Sequence, residues 1–263
     1  IYATTDLATI LQRVEEFGPD QIWYVVDNRQ RLHFTQVFRC AEKAGFASDT
    51  RLEYLGFGTM NGTDGRPYKT RDGGGMPLSA LYETVFAAAL DKVNASKFSS
   101  DEDKPETARK IAVAAIKFGD LINHRSKDYR FDLDQFLAAE GKTGSFLLYT
   151  IARINSIVRR VQTHDGEPVS SHSVSSGVER ELLLKLALSN MAFITAFAER
   201  APNHLCESAY QLACSFSTFY HHHRILDEVE KDKQSFRLFL CAATKTILLK
   251  HLEVLGIEAV AFM

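Results

Sequence analysis

The sequence predicts a mainly α fold with a small α/β part at its N-terminal end. Three observations carry this. Between residues 7 and 57, helical and strand-like segments alternate with short joints, the pattern of a parallel α/β sheet. After Met76 the apolar repeats have helical spacing. Between these parts, Gly56 to Gly75 (GFGTMNGTDGRPYKTRDGGG) concentrates seven of the chain's 15 glycines in one ordered stretch.

Leu7, Ile10, Leu11 and Val14 recur at helical spacing, and Gly18-Pro19 stops that helix. Ile22 to Val26 (IWYVV) is β-branched and aromatic, so a buried strand is expected, broken by Asp27-Asn28. Phe34, Val37, Phe38 and Ala41 mark a second helix that Gly45 closes. Leu52 to Phe57 reads as a second strand. Two strands are too few for a complete doubly wound domain, so the first 75 residues read as its second half. Beyond Met76, a helix begins with Leu78, Leu81 and Val85. Ser96 to Glu106 is a polar hinge, and Ile111, Ala115 and Phe118 resume the helical register. Three further stripes follow: Leu147, Ile151, Ile154 and Val158; Leu182, Leu186, Phe193 and Phe197; Cys241, Thr244, Leu248, Leu252 and Leu255, ended by Gly256. Thr163 to Gly177 has loop composition. The expected division is 1–75, connecting helices over 76–115, and a helical bundle over 116–263.

Composition bounds the function. With 263 residues, 45% hydrophobic and 24% charged, the chain reads as a soluble globular protein of one large or two ordinary domains. A net charge of −2 gives no global nucleic-acid signal, so such binding must use local patches. No apolar run looks long enough to span a bilayer, and nothing resembles a signal peptide. Cys40, Cys206, Cys214 and Cys241 are scattered and read as reduced core thiols. The first residue is Ile1, so a piece of something longer is expected.

The glycine stretch matches neither GxxxxGK[ST] nor GxGxxG. Glycine lets backbone amides approach a ligand closely, and Arg66, Lys69 and Arg71 suit a polyphosphate; a plain surface loop is the alternative. Tyr2 and Asp6 stand at i, i+4 and would share a helix face, a pocket for a cationic substrate. Asp6 would serve equally as a favourable charge near a helix N-terminus. Gln30 and His33 follow the carboxyl end of the first strand, where α/β sheets bind ligands, and are candidate contacts; a plain turn fits as well. His221-His222-His223 does not make a metal site, because successive helical residues point about 100° apart and no carboxylate or thiol completes a set. Tyr149, Arg153, Arg159 and Arg160 offer either a nucleic-acid face or a solvated helix face.

Taken together these segments resemble arginyl-tRNA synthetases, class I aminoacyl-tRNA synthetases, over essentially the whole chain. Tyr2-Ala3-Thr4-Thr5-Asp6-Leu7-Ala8 is similar to the family's Tyr…Asp arginine-binding segment, and Tyr24 to Gln30 to its strand-to-Asp-x-Arg-Gln segment. The glycine stretch is similar to the loop that stands in for the class I Lys-Met-Ser-Lys-Ser motif. Lys127 to Asp132 and Glu140 to Gly144 resemble the entry to the helical anticodon-binding domain, and Leu255 to Met263 the family C-terminus. The resemblance implies the C-terminal half of a Rossmann-type catalytic domain followed by an all-α anticodon-binding bundle.

It implies roles residue by residue. Tyr2, Asp6 and Gln30 would hold arginine. Gly58, Tyr68, Lys69, Thr70 and Arg71 would line ATP, with Lys69 and Arg71 stabilising phosphate charge during activation. Tyr149, Arg153, Tyr220 and Met263 would contact tRNA. ATP is implied as substrate, with Mg2+ in the intact enzyme and no tightly bound cofactor. The implied partners are arginine tRNA, L-arginine and a separately encoded N-terminal half, for a cytoplasmic monomer with no membrane attachment. The departure is that no His-Ile-Gly-His motif occurs in the 263 residues. The expectation is an arginine-tRNA ligase fragment that is inactive alone; the alternative is a tRNA-binding or split-enzyme module without its own catalysis.

Overall fold

The computed structural model describes residues 2–62, 65, 77–95, 104–161 and 174–261. The expectations on Tyr68, Lys69, Thr70, Arg71 and Met263, and on most of the stretches 96–106 and 163–177, lie outside these residues. The chain forms two compact units. One comprises Ile1–Pro67 and Arg125–Arg130, the other Tyr68–His124 and Phe131–Met263.

In the first unit, α1 (Tyr2–Phe17) leads to β1 (Gln21–Asp27), a short 3-10 turn (Asn28–Gln30), α2 (Arg31–Ala44) and β2 (Arg51–Phe57). β1 and β2 pair in parallel, from Gln21 opposite Arg51 to Asp27 opposite Phe57. Gly45 ends α2 at φ 74°, a left-handed conformation that glycine adopts without strain, and its N–H caps the carbonyls of Ala41 and Glu42. The core is Ile10, Tyr24, Phe34, Val37, Ala41 and Ala47, with Leu7, Val14, Ile22, Val26 and Phe38 packed on it. The buried-strand expectation for Ile22 to Val26 needs correction. Tyr24 is buried, but Trp23 and Val25 are 44% and 63% exposed. Side chains alternate faces along a strand, and the core described above sits on one face of this two-stranded sheet.

The return of residues 125–130 to this unit is not signalled by periodicity. β3 (Met60–Asn61) pairs in parallel with β4 (Tyr129–Arg130). The Thr59 amide donates to Asp128 Oδ1 at 2.7 Å, and the Arg125 guanidinium donates to the Gly56 carbonyl at 3.0 Å.

The second unit contains α3 (Leu78–Ala95), α4 (Lys104–Leu121), the single turn α5 (Leu133–Phe136), α6 (Gly144–Val161), α7 (Gly177–Glu199), α8 (Asn203–His222) and α9 (Lys231–Val254). α4 therefore starts inside the expected polar hinge. α6 packs on α4, α8 and α9, and α7 lies mainly against α8. Phe118, Leu147, Leu148, Ile151, Ile154, Leu182, Leu212, Phe216, Phe219, Leu240 and Leu248 are fully buried. His251 is buried among them. Burial pushes its imidazole below the ordinary value, and it stays bonded to the Ile247 carbonyl and Ser208 Oγ.

Three further expectations are corrected. Phe197 does not continue the Leu182–Leu186 stripe: it is 65% exposed, and Ala196 faces inward at that turn. Cys206 and Cys241 are core thiols, each pushed up to about 12 by burial, whereas Cys40 is exposed and Cys214 half-buried. Finally, α7 is long and apolar enough to cross a membrane by length and composition alone. Interspersed Ser, Asn and Thr hide this from a search for unbroken apolar runs.

Candidate functional site

Two clusters of expected residues become geometry, one in each unit. In the first unit, Tyr2 and Asp6 lie one turn apart on α1. Tyr2 is 84% exposed. Asp6 is half-buried, and its Oδ2 lies 2.6 Å from Nε2 of His33 on α2. The His33 ring meets Phe34 edge-on, with centroids 5.1 Å apart. Gln30 is exposed at the end of the turn that delivers α2, three residues before His33. Asp27 caps that turn by accepting from the Arg29 amide at 2.8 Å, and it also holds the Arg29 guanidinium through two bonds of 2.8 and 2.6 Å. The hydrogen bond from the Arg29 side chain keeps the Asp27 carboxyl below the usual range. The turn is thus fixed by a local ion pair, which leaves Asp6 as the carboxylate paired across from α1.

Gly58 has its own structural explanation. Its N–H donates to the Arg125 carbonyl at 2.8 Å, and a Cβ built there would lie 2.4 Å from the Lys127 backbone. Only glycine permits that approach. The rest of the expected phosphate-binding set, Tyr68 to Arg71, lies outside the described residues.

In the second unit, α6 and α8 bring Tyr149, Arg153 and Tyr220 together. The Arg153 guanidinium carbon is 4.7 Å from the Tyr149 ring centroid and 4.9 Å from that of Tyr220, so the cation sits against two aromatic faces. Tyr220 is backed by Phe216, whose ring is stacked at 6.3 Å. Tyr149, Arg153 and Tyr220 line a cleft of about 250 Å³ with Ala152, Ser156, Ile157, Arg160 and Leu226. Asn155, also on α6, donates to the Ala261 carbonyl at 3.0 Å and tethers the C-terminal residues beside that helix. Aromatic faces next to guanidinium groups suit stacked bases and phosphates. The neighbouring histidines are spent locally: His222 and His223 bond the Thr218 and Phe219 carbonyls, and the His221 ring stands against Tyr220. Among the described residues, no group of three or more His, Cys, Asp or Glu could hold a metal ion.

Sequence reasoning named His33 as a contact but did not pair it with Asp6. It also did not foresee that Tyr149 and Tyr220 sandwich one arginine, because α8 showed no apolar stripe.

Residues 1–133 match the family described as "tRNA synthetases class I (R), catalytic domain", and residues 147–263 match "DALR anticodon binding domain". The chain belongs to the arginyl-tRNA synthetase family. An arginine–tRNA ligase of Alkaliphilus oremlandii is 47% identical over 261 residues, covering 98% of this chain and 44% of that protein. That of Hyphomonas neptunium is 41% identical, with 97% and 44% covered. Two solved arginyl-tRNA synthetases share the fold. That of Plasmodium falciparum has a TM-score of 0.81 at 25% identity, covering 99% of this chain and 44% of its own. That of Thermus thermophilus has a TM-score of 0.79 at 26% identity, covering 93% and 41%. The chain spans less than half the length of these relatives. Within the family matches, the Asp6–His33 pair falls in the catalytic region and the Tyr149–Arg153–Tyr220 cleft in the anticodon-binding region.

Proposed function

We propose that this chain carries the arginine side of the active site and the anticodon-binding part of an ATP-dependent arginine–tRNA ligase. The observation that carries the reading is the coincidence of each site with its family region: a half-buried carboxylate on α1 in one, and an aromatic–guanidinium cleft in the other. Asp6 takes the substrate guanidinium through charge-assisted hydrogen bonds, with Tyr2 and Gln30 completing the contacts. Lys69 and Arg71, with Tyr68 and Thr70, face the ATP phosphates and stabilise charge as the arginine carboxylate attacks the α-phosphate. Gly58 sets the start of that loop. ATP enters as a substrate with its Mg2+. Tyr149, Arg153 and Tyr220 stack on bases of an arginine tRNA, and Met263 is a further tRNA contact. A monomer acting in the cytoplasm fits this role.

No stretch of the 263 residues resembles the His-Ile-Gly-His motif, which in this family grips ATP from the other side. The chain assayed alone is therefore expected to give no arginine-dependent ATP–pyrophosphate exchange above background. It is expected to retain an arginine tRNA transcript on filters better than a transcript of another specificity. Exchange by the isolated chain would overturn the first expectation; equal retention of both transcripts would overturn the anticodon reading.

A further inference from the structure

We propose that His33 is a positioning residue of the arginine site, aiming Asp6 at the substrate when neutral and taking the guanidinium's place when protonated. This rests on the reading of Asp6 as the guanidinium acceptor. The pair joins α1 to the first turns of α2, with Nε2 of His33 2.6 Å from Oδ2 of Asp6. The two side chains remain 34% and 32% exposed, so both solvent and a ligand can reach them. The Phe34 ring, at 82° to the imidazole, fixes the ring from the side.

A carboxylate can accept about four hydrogen bonds. A neutral imidazole donating Nε2–H occupies one of them on Oδ2. It fixes the carboxylate's orientation and leaves Oδ1 and the full negative charge for a cation. Protonated His33 makes the pair neutral overall. An arriving guanidinium must then displace a cation already seated against Asp6. The balance is simple: the imidazolium releases one proton to solvent, its ring stays bonded to Asp6 as a neutral donor, and the guanidinium takes Oδ1. Arginine binding is thereby coupled to proton release.

Charged and titratable groups on the surrounding elements include Tyr2 and Arg13 on α1, Tyr24 and Asp27 on β1, Arg29 on the turn, Arg31 on α2, and Glu53 and Tyr54 on β2. Burial raises the Tyr24 hydroxyl, with Arg13 opposing that shift. Tyrosine, arginine and the carboxylates keep their charge between about pH 6 and 8, whereas an imidazole changes its charge in that range.

The test is calorimetric titration of L-arginine into the 263-residue chain at about pH 6 and 8, repeated in buffers of different ionisation enthalpy to count protons. The unaltered chain is expected to bind several-fold more weakly at the lower pH and to release protons on binding there. His33→Gln supplies a donor that does not titrate. It should bind with nearly the same affinity at both pH values and release none. His33→Ala should bind about tenfold more weakly at both, the size of one charge-assisted hydrogen bond. Proton release needs no variant, so the proposal remains testable even if a substitution fails to fold. If Asp6→Asn abolishes binding while the unaltered chain shows no proton release or His33→Gln keeps its pH dependence, the role of His33 is overturned and the Asp6 reading stands. If Asp6→Asn binds as well as its parent, or the unaltered chain binds no arginine, the Asp6 reading falls and this proposal with it.

Discussion

Asp6 in the first unit and Glu179 in the second are both carboxylates held by basic partners, and they differ in what they have left to give. Asp6 is one-third exposed and bonded to the His33 imidazole. Glu179 has no exposed surface. It accepts from the amide and the hydroxyl of Ser175, each at 2.8 Å, and from Arg237 Nε at 2.9 Å, while His223 Nε2 stands 3.7 Å away. Arg237 turns its other end to Glu228, and Ser176 caps α7. Glu179 therefore ties the start of α7 to α9 and to the segment after α8, with both carboxylate oxygens engaged. A carboxylate of that kind is a structural joint. One with a free oxygen and an open side can take a ligand.

Breaking the closed pair should give the largest effect. Glu179→Ala leaves the Arg237 guanidinium buried with one acid partner removed and should destabilise the helical unit by about 3–5 kcal/mol, read as a shift in urea unfolding followed by helical circular dichroism. No shift beyond about 1 kcal/mol would reduce the pair to a surface ion pair. The cleft comes next. Tyr220→Ala removes one stacking face and should weaken binding of an arginine tRNA by about 1–3 kcal/mol. A filter-binding titration that is unchanged would place the bases elsewhere.

Acid should discriminate the two carboxylates further. Burial pushes the Glu179 carboxyl up, but the bonds from Arg237 and Ser175 outweigh it and hold it below its ordinary value of 4.5. A carboxyl lowered in the folded state gives stability that is complete above the unfolded value. That stability is lost as pH falls through the folded one. Helical stability should thus decline from about pH 4.5 downward, and Glu179→Gln should flatten that decline. The smallest effect is expected from opening the exposed pair: Asp6→Asn should change unfolding stability by less than about 1 kcal/mol. Fluorescence of Trp23, the chain's one tryptophan, reports that unit directly. A loss of several kcal/mol would make Asp6 a joint like Glu179.

What could be read in advance follows the same division. Stops were legible because glycine at positive φ is a local event: Gly18, Gly45 and Gly256 end their helices as the sequence indicates. The α6 stripe was legible because Leu147, Ile151 and Ile154 are large and evenly spaced. α8 was not, because half its buried face is Cys206, Ala209, Ala213 and Ser215, too small or too polar to register as a stripe. Phe197 misled for the opposite reason, being large and in register but pointing outward. Tyr2, Asp6 and Gln30 were recognisable as a group from their resemblance to a family segment, whereas the His33 contact spans 27 residues and depends on how α1 and α2 pack. Tyr149 and Tyr220 likewise meet through the Arg153 side chain.

The return of residues 125–130 to the first unit has a consequence for how the chain acquires its structure. β1 and β2 are complete once residue 57 exists, but β3 must wait for β4, and Gly58 must wait for the Arg125 carbonyl. Closing so long a loop costs entropy before any contact repays it, and such non-local pairing slows folding. The order of assembly is thereby constrained: helix and strand pairing over residues 2–57 can form early, and the short β3–β4 ladder seals the unit late. A chain cut between residues 104 and 121 would separate β3 from β4. Whether the two pieces reassemble when mixed would measure how much of this unit's stability that late ladder supplies.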